Sequence, residues 1–304
     1  MNATGEQPTY LIAGATGVIG RRLAMALRGD GVTVRALVRD RGRGRRILGP
    51  EVELFEADLT SDPDLSAAME GVEVAYFLVH MLGSGRDYAE RERAAAELFA
   101  RAATSAGVGR VIYLGGLGPD EGGSPHLDSR HHTAEALRRW GPPLTYFRAS
   151  IVIGSGSESL RTIAYLVRRL PAMVTPSWTS TRTQPIAAAD VVEYLAAALE
   201  VPGSSGREIE IGGREVTTYG GLLDLCARAQ GRRPRPRIGV PLLSPGLSSH
   251  WIGLVTPVDA GVARPLVEGL TTETVVVDPS GMELFDVEPT PLEEAMQAAV
   301  DELF

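Results

Sequence analysis

Short apolar runs alternate with helical patterns over the first two hundred residues of the chain. The runs of strand length are Thr9–Ala13, Val32–Val38, Val52–Ala57, Val74–His80, Arg110–Leu114 and Leu144–Ala149. The helical patterns between them are Ile19–Arg28, Pro63–Met69, Arg86–Ala106 and Pro125–Trp140. Strands separated by helices favour right-handed β-α-β units. The pattern therefore predicts an α/β protein with a doubly wound parallel sheet of the Rossmann type.

Residues of special backbone geometry mark the ends of several predicted helices. Asp62-Pro63 predicts a helix start with proline in the first turn, as does Ser124-Pro125 further along. Gly107 and Gly141 follow two helical patterns and are predicted to be left-handed caps.

After residue 150, glycine and proline interrupt the alternation of predicted strands and helices. Ala188–Glu200 is still predicted to be a helix and Arg207–Ile211 a strand. We assign residues 1–150 to a dinucleotide-binding core that 187–201 completes. Residues 151–304 mainly form a smaller substrate lobe over the carboxyl edge of the sheet, within one structural unit.

The segment 14–20, Gly-Ala-Thr-Gly-Val-Ile-Gly, follows the first predicted strand and opens the first helix. Gly14 permits a tight turn, Gly17 lets the backbone approach a diphosphate, and Gly20 lets the helix pack close to the strand. The amide groups and the positive dipole end at a helix start favour phosphate. We predict dinucleotide contacts from Gly14, Thr16, Gly17, Val18, Ile19 and Gly20.

The end of the second strand selects the nucleotide. NAD binders usually carry an acidic residue there, whereas this chain has Arg39. A guanidinium can bind a 2′-phosphate and stack on adenine, and Arg43 and Arg45 add positive charge. We predict NADP(H) rather than NAD(H). Asp40 is the neighbour that favours NAD(H), and a plain surface charge is the alternative for Arg39.

Two further strand ends face the expected dinucleotide. Asp58 and Leu59, after the third strand, are predicted to cover the adenine, with a helix cap as the alternative for Asp58. Val79 and His80, at the end of the fourth strand, are predicted to lie beside the nicotinamide. His80 either takes part in the chemistry or only bonds to the backbone.

These motifs resemble the atypical short-chain dehydrogenase/reductase superfamily, in its NmrA-like or extended-type branch, over nearly the whole chain. The segments that carry the resemblance are Gly14–Gly20, Arg39, Asp58-Leu59, Tyr76–His80, Val111–Gly116, Arg148–Gly154, Gln184–Val191 and Glu210–Gly213. The resemblance implies a bound nicotinamide dinucleotide and a C-terminal substrate lobe.

The chain departs from that family at the catalytic positions. Standard members carry a serine after the fifth strand and a Tyr-x-x-x-Lys pair on the next helix. Here Gly115 or Gly116 stands at the serine position, and His126 and Arg130 stand at the pair. The sequence contains no lysine, since all 30 basic residues are arginine. Lysine Schiff-base chemistry and a phosphate-loop NTPase lysine are therefore excluded.

The candidate catalytic groups are histidines around one arginine. His126 and Arg130 are four residues apart and share a face of a helix. Arg130 is predicted to act as a fixed positive charge on the nicotinamide ribose and to lower the pKa of a nearby acid. His126 is predicted to donate or accept the proton, with His131, His132 and His80 as alternatives.

Composition limits the partners of the chain. A net charge of −8 over 304 residues argues against a nucleic-acid partner. No apolar run reaches the roughly 18 residues of a membrane span, and the N-terminus lacks a secretory signal pattern. Cys226 is the single cysteine, so an internal disulfide and a cysteine metal site are excluded. We expect a cytoplasmic protein with a small-molecule substrate and no metal; no pattern indicates an oligomeric state.

Three functions fit these residues. The first is an NADP(H)-dependent oxidoreductase that transfers hydride to a small, largely apolar carbonyl, enone, quinone or flavin-like acceptor. The second is a non-redox isomerase, dehydratase or cyclase, and the third is a non-catalytic NADP(H)-sensing regulator. Apolar residues of the lobe form either a substrate wall or ordinary core: Met173, Trp178, Leu242, Leu243, His250, Trp251, Ile252 and Leu254.

Overall fold

The computed structural model describes residues 7–29, 31–61, 63–81, 87–119, 124–170, 172–175, 177–239 and 269–304. Its central sheet consists of β1 (Thr9–Ala13), β2 (Thr33–Val38), β3 (Glu53–Glu56), β4 (Val74–Phe77), β5 (Arg110–Gly116), β6 (Leu144–Ala149) and β11 (Glu208–Ile211). The seven strands pair in parallel in the order β11-β6-β5-β4-β1-β2-β3. The order reverses between β1 and β4, which places the ligand crevice of such a sheet beside the end of β1.

The helices are α1 (Val18–Ala26), α2 (Arg41–Leu48), α3 (Ser66–Met69), α4 (Tyr88–Ser105), α5 (Pro125–Trp140), α6 (Glu158–Arg169), α7 (Ala188–Ala197), α8 (Tyr219–Ala229) and α9 (Leu292–Asp301). Short strands pair outside the central sheet: β7 (Val152–Ile153), β8 (Met173–Thr175), β9 (Arg182–Thr183), β10 (Ile186–Ala187), β12 (Thr217–Thr218) and β13 (Arg237–Gly239). Short 3₁₀ helices lie at Ser177–Ser180, Pro202–Ser204 and Pro279–Leu284.

Helices cover both faces of the central sheet. On β1, Ile12 packs into one apolar cluster with α1 and α7, while Leu11 and Ala13 pack into another with α4 and α5. Alternate side chains of a strand point to opposite faces, so burial on both faces explains why these strands read as continuous apolar runs. The prediction of a doubly wound parallel sheet is confirmed.

The predictions of element ends are partly correct. β1, β6 and α5 have the predicted bounds. The Ser124 hydroxyl caps α5 by accepting a hydrogen bond from the Leu127 amide, at 3.3 Å. Gly107 has the predicted left-handed backbone, with φ of 75°. The prediction for Gly141 is wrong, because its φ of −101° is extended backbone.

Two helices differ from the sequence pattern. α3 begins at Ser66 instead of Pro63, because the Asp64 carboxylate accepts a hydrogen bond from the Ser66 amide at 2.9 Å and forms a turn first. α2 was not predicted, since its sequence RGRGRRIL has two glycines and only two apolar residues.

The range assigned to the smaller lobe also contributes to the core. β11 pairs with β6 as the seventh strand of the central sheet, and Phe285 packs against Phe147 at a ring-centroid distance of 5.6 Å. A separate apolar cluster joins α6, α8 and α9. The lobe therefore comprises only part of residues 151–304.

Most of the predicted apolar wall lies outside the described residues, namely Leu242, Leu243, His250, Trp251, Ile252 and Leu254. Trp178 is described and packs edge-on against Tyr219, with the ring centroids 6.5 Å apart.

No helix within the described ranges has both the length and the apolar character needed to cross a bilayer.

Candidate functional site

The glycine turn between β1 and α1 has space only for glycine at two of its positions. Gly14 has a φ of 84°, and a Cβ atom there would lie 2.5 Å from the Leu78 carbonyl oxygen. A Cβ atom at Gly20 would lie 2.3 Å from the Gly14 carbonyl oxygen. The turn therefore holds α1 close to β1 and to the end of β4, as the motif predicts.

The first turn of α1 presents uncapped amide groups. Gly17 is the N-cap residue, and no side chain accepts a hydrogen bond there. The first bond along the helix runs from the Arg21 amide to the Gly17 carbonyl, at 3.0 Å. The amides of Val18 and Ile19 precede that bond, so they are oriented to bind an anion.

The end of β4 lies beside this turn. The Leu78 amide donates to the Ala13 carbonyl at 2.9 Å, which extends the pairing of β1 and β4 to the edge of the sheet. Val79 is half-buried, and the His80 side chain is 37% exposed. Both residues therefore lie next to the predicted diphosphate site, at the crevice where the strand order reverses.

Arg39 and Asp40 follow β2 on the same edge, and both are exposed. The Asp40 carboxylate accepts a hydrogen bond from the Arg43 amide at 2.7 Å and caps α2. Asp40 is thus engaged in a helix cap, whereas Arg39 remains at the protein surface.

Asp58 stabilises a turn of its own. Its carboxylate accepts hydrogen bonds from the amide and the hydroxyl of Thr60, at 2.9 and 2.7 Å. Those hydrogen bonds lower the pKa of Asp58, and the nearby Arg39 and Arg91 contribute to the shift. The alternative of a helix cap is wrong, because the Asp58 turn precedes α3 and does not begin it. Leu59 is half-buried against the α4 side of the sheet.

A polar cluster lies beyond β4, formed by His80, Glu92, His126 and Arg130. Glu92, on α4, has a fully buried side chain. The carboxylate of Glu92 lies 3.2 Å from His80 Nδ1 and 3.3 Å from Arg130 Nη1. The His80 and His126 rings are 5.1 Å apart between centroids. The structure thus joins three of the predicted catalytic residues around an anion that we did not predict.

Arg130 binds protein groups on several sides. Its guanidinium donates to Glu92 Oε1 and to the Leu114 carbonyl, and Nη1 lies 3.1 Å from His80 Nδ1. The side chain is only 11% exposed. The charge of Arg130 is thus compensated by Glu92 within the protein, and its contact with a nicotinamide ribose stays a prediction.

Protonation in the cluster follows from burial and from these charges. Burial lowers the pKa of His126 to about 3, and the neighbouring His80 and Arg130 add to the shift. Removal from water and the Arg130 charge also lower the pKa of His80, against the opposing effect of Glu92. For Glu92, burial raises the pKa, but hydrogen bonds and charge from His80 and Arg130 outweigh it and lower the pKa to about 2. At pH 7 the cluster therefore contains neutral imidazoles and one ion pair.

The remaining histidines of α5 do not join the cluster. His131 lies against the Tyr146 ring and within 3.5 Å of Arg148 Nη2, and His132 is exposed. The Arg148 guanidinium binds Glu208 on the edge strand at 2.9 Å. The geometry favours His80 and His126 over His131 as groups that face the crevice.

The position expected for the family's serine has no room for a side chain. A Cβ atom at Gly115 would lie 2.5 Å from Cε2 of Tyr146, and one at Gly116 would lie 2.7 Å from Cδ2 of Leu127. Tyr146 is fully buried and fills the space beside Gly115. The glycines at the end of β5 thus allow the close approach of β6 and α5.

Glu92 is the residue of the site that sequence reasoning missed. It lies on the same helical pattern as two other acidic residues, the exposed Glu90 and the half-buried Glu97, and composition does not separate it from them. One signal was present in the helical spacing: Ala95, Ala96 and Phe99 follow Glu92 at three, four and seven residues, on the buried side of α4. Within the described residues, no group of three or more histidine, cysteine or acidic side chains is arranged to hold a metal ion.

The chain is similar to known proteins in sequence and in fold. The model of the NmrA-like family matches residues 6–233. A ceramide reductase from Caulobacter vibrioides is 27% identical over 307 aligned positions, which cover 91% of this chain and 93% of that protein. NADH dehydrogenase (ubiquinone) 1 alpha subcomplex subunit 9, mitochondrial, from Dictyostelium discoideum is 27% identical over 234 positions, covering 72% of this chain and 64% of that protein. The solved structure of UDP-glucuronic acid 4-epimerase from Bacillus cereus, in complex with UDP-glucuronic acid and NAD, has a TM-score of 0.71 at 16% identity and covers 96% of this chain and 98% of that one.

Proposed function

The chain belongs to the NmrA-like family, and on that premise we propose that it is an NADP(H)-dependent oxidoreductase. It transfers hydride to a small, largely apolar carbonyl, enone, quinone or flavin-like acceptor. The observation that carries the proposal is the uncapped start of α1, where Gly14 and Gly20 leave no space for a side chain, at the reversal of strand order. Two relatives have oxidoreductase names, a ceramide reductase and a subunit of NADH dehydrogenase.

The residues present fit a dinucleotide. The amides of Val18 and Ile19 would hold the diphosphate, Leu59 would pack against the adenine, and Val79 and His80 would lie beside the nicotinamide. When bound, the nicotinamide supplies a hydride donor or acceptor at its ring carbon C4. The protein contributes the position of the reactants and the electrostatics of the site. The lysine of the Tyr-x-x-x-Lys pair in standard short-chain dehydrogenases/reductases has no counterpart in this chain.

The surroundings of Arg39 support NADP(H) over NAD(H). Asp40, the residue that would favour NAD(H), is engaged with the Arg43 amide as the cap of α2. Arg39 is exposed on the carboxyl edge, where its guanidinium can bind a 2′-phosphate through two parallel hydrogen bonds.

The neutral imidazoles support the acceptor class. With lowered pKa values at His80 and His126, little imidazolium is present at pH 7 to donate a proton. Acceptors that form a stabilised anion, such as quinones, enones and flavins, depend least on a strong proton donor.

The experiment is a binding measurement followed by turnover. Calorimetry is expected to detect NADPH binding, and absorbance at 340 nm is expected to fall with at least one acceptor from a panel of quinones, enones, aldehydes and flavins. No binding of NADPH or NADH to folded protein would refute the proposal. Binding without turnover would favour a nucleotide-sensing regulator, and conversion of a substrate without net NADPH oxidation would favour an isomerase, dehydratase or cyclase.

Replacing Arg39 with alanine is expected to weaken NADPH binding by roughly 10- to 150-fold, the value of a charge-assisted contact of about 1.5–3 kcal/mol. NADH binding should change less than about threefold, since NADH lacks the 2′-phosphate. Arg46→Ala is the matched control, because Arg46 lies on α2 and its guanidinium bonds only to the Gly42 carbonyl among the described groups. Equal losses for NADPH and NADH in Arg39→Ala would contradict the assignment of Arg39 to the 2′-phosphate.

A further inference from the structure

Glu92 is a buried carboxylate that contacts donors from two other segments. His80 and the Met81 amide approach it from the end of β4, at 3.2 and 2.8 Å. From α5, Arg130 Nη1 lies at 3.3 Å and the Thr133 hydroxyl at 3.4 Å. Nothing in the dinucleotide site requires this anion, so its role must be sought in the groups that it contacts.

The contact with His80 decides which ring nitrogen carries the proton. His80 Nδ1 lies between Glu92 Oε2 at 3.2 Å and Arg130 Nη1 at 3.1 Å. A neutral imidazole nitrogen either donates or accepts, so these two contacts favour opposite tautomers.

Of these two contacts, the hydrogen bond from His80 Nδ1 to Glu92 is the more favourable. An ionised carboxylate can only accept, and a lone pair of Nδ1 facing it at this distance would be repelled. Arg130 has other acceptors for its N–H groups, namely Glu92 Oε1 and the Leu114 carbonyl. The arrangement is therefore most stable when Nδ1 carries the proton and donates it to Glu92.

We propose that Glu92 is a positioning residue, which holds the proton on His80 Nδ1 and so presents the unprotonated Nε2 of His80 to the substrate. The proposal rests on the proposed oxidoreductase function. When an alcohol is oxidised, its carbon gives a hydride to NADP⁺, its hydroxyl proton passes to Nε2, and the C=O bond forms. The carboxylate stabilises the imidazolium that forms when Nε2 takes up this proton.

The exposure of His80 agrees with this role. The ring is 37% exposed although its Nδ1 side faces the buried Glu92. Among the described residues, the hydrogen-bond contacts of the ring are those of Nδ1 with Glu92 and Arg130.

The first test needs neither turnover nor a mutant of Glu92. Nitrogen-15 NMR of the wild-type protein distinguishes protonated from unprotonated ring nitrogens, and the His80 signals are identified by their loss in His80→Gln. We expect Nδ1 to be protonated and Nε2 unprotonated at pH 7.5. A proton on Nε2 would overturn the proposal whether or not an acceptor has been found, and this separates it from failure of the oxidoreductase function.

The second test is a double-mutant cycle with Glu92→Gln and His80→Gln. The glutamine amide can donate to Nδ1 and so favours the opposite tautomer. Glu92→Gln is expected to lower kcat for alcohol oxidation by roughly 10²- to 10⁴-fold, with the Kd for NADPH within about threefold of wild type. In the His80→Gln background the same substitution should cause no further loss, because Glu92 acts through His80.

Glu97→Gln is the matched control for this cycle. Glu97 lies on the same helix α4, but on its outer side, where it pairs with Arg101 at 2.9 Å. Its replacement should leave kcat unchanged. Independent, additive losses from Glu92→Gln and His80→Gln would overturn the proposal, as would a loss of NADPH binding that accounts for the whole effect of Glu92→Gln. If Glu92→Gln does not fold, the wild-type nitrogen spectrum still decides the question.

Discussion

Replacing Gly17 with aspartate is expected to abolish NADPH binding, by at least about 100-fold, while the protein remains folded. The new carboxylate would stand at the start of α1 and accept from the same amides that would otherwise bind the diphosphate. Two negative charges about 4 Å apart repel each other by about 4 kcal/mol near a protein surface, which is sufficient for a loss of this size. Calorimetric titration with NADPH measures the effect.

The backbone at Gly17 accepts this side chain. Its φ of −76° and ψ of 174° are ordinary extended values. A Cβ atom would lie 3.2 Å from the Gly14 carbonyl oxygen, so the turn must shift by a few tenths of an ångström. Against that strain, an aspartate N-cap stabilises a helix by about 0.5–2 kcal/mol, and we therefore expect no fall in Tm.

Gly17→Asn separates charge from shape in this experiment. Asparagine caps the same amides with a side chain of nearly the same size but without the negative charge. It should weaken NADPH binding less than aspartate does. If Gly17→Asp bound NADPH as tightly as wild type, the start of α1 would not be the diphosphate site, and the proposed function would lose its main support.

The parts of the fold that the sequence predicts best are those whose reason is local. β1 and β6 are apolar on both sides because both faces of the sheet are covered, and the strands can be read directly from such runs. α5 has an explicit start in Ser124-Pro125, and its predicted bounds are correct. The glycine turn is likewise predicted by residues that are adjacent in the chain.

The parts that the sequence does not predict depend on contacts between distant segments. α2 is held by the Asp40 cap and by packing of Leu48, although its own sequence contains few apolar residues. Glu92 is separated from its partners His80 and Arg130 by 12 and 38 residues. Only the crossing of α4 and α5 over the end of β4 brings these three together, and no motif records that geometry.

Replacing Arg130 with methionine is expected to destabilise the protein by about 3–5 kcal/mol, because it leaves the buried Glu92 carboxylate without its cationic partner. Methionine retains much of the apolar volume of the arginine stem, so the effect is mainly electrostatic. Arg138→Met is the matched control on the same helix. Arg138 pairs with Glu208 at 3.0 Å, but its side chain is 52% exposed, and such a pair contributes at most about 1 kcal/mol. Chemical denaturation at pH 8 measures both variants.

The pH dependence of this loss identifies Glu92 as its cause. In the wild-type protein the pKa of Glu92 is lowered to about 2, below the unfolded value of about 4.3. Glu92 therefore adds stability above the unfolded pKa, and this contribution is lost as pH falls toward 2. Without Arg130, burial acts against less compensation, and we expect the pKa of Glu92 to rise above its unfolded value. The loss of unfolding free energy in Arg130→Met should then be larger at pH 8 than at pH 5.

This loss should also shrink when Glu92→Gln is added, since no buried charge remains to be compensated. An equal deficit at both pH values, or a double variant less stable than Arg130→Met alone, would show that Arg130 stabilises the fold by packing and not through Glu92.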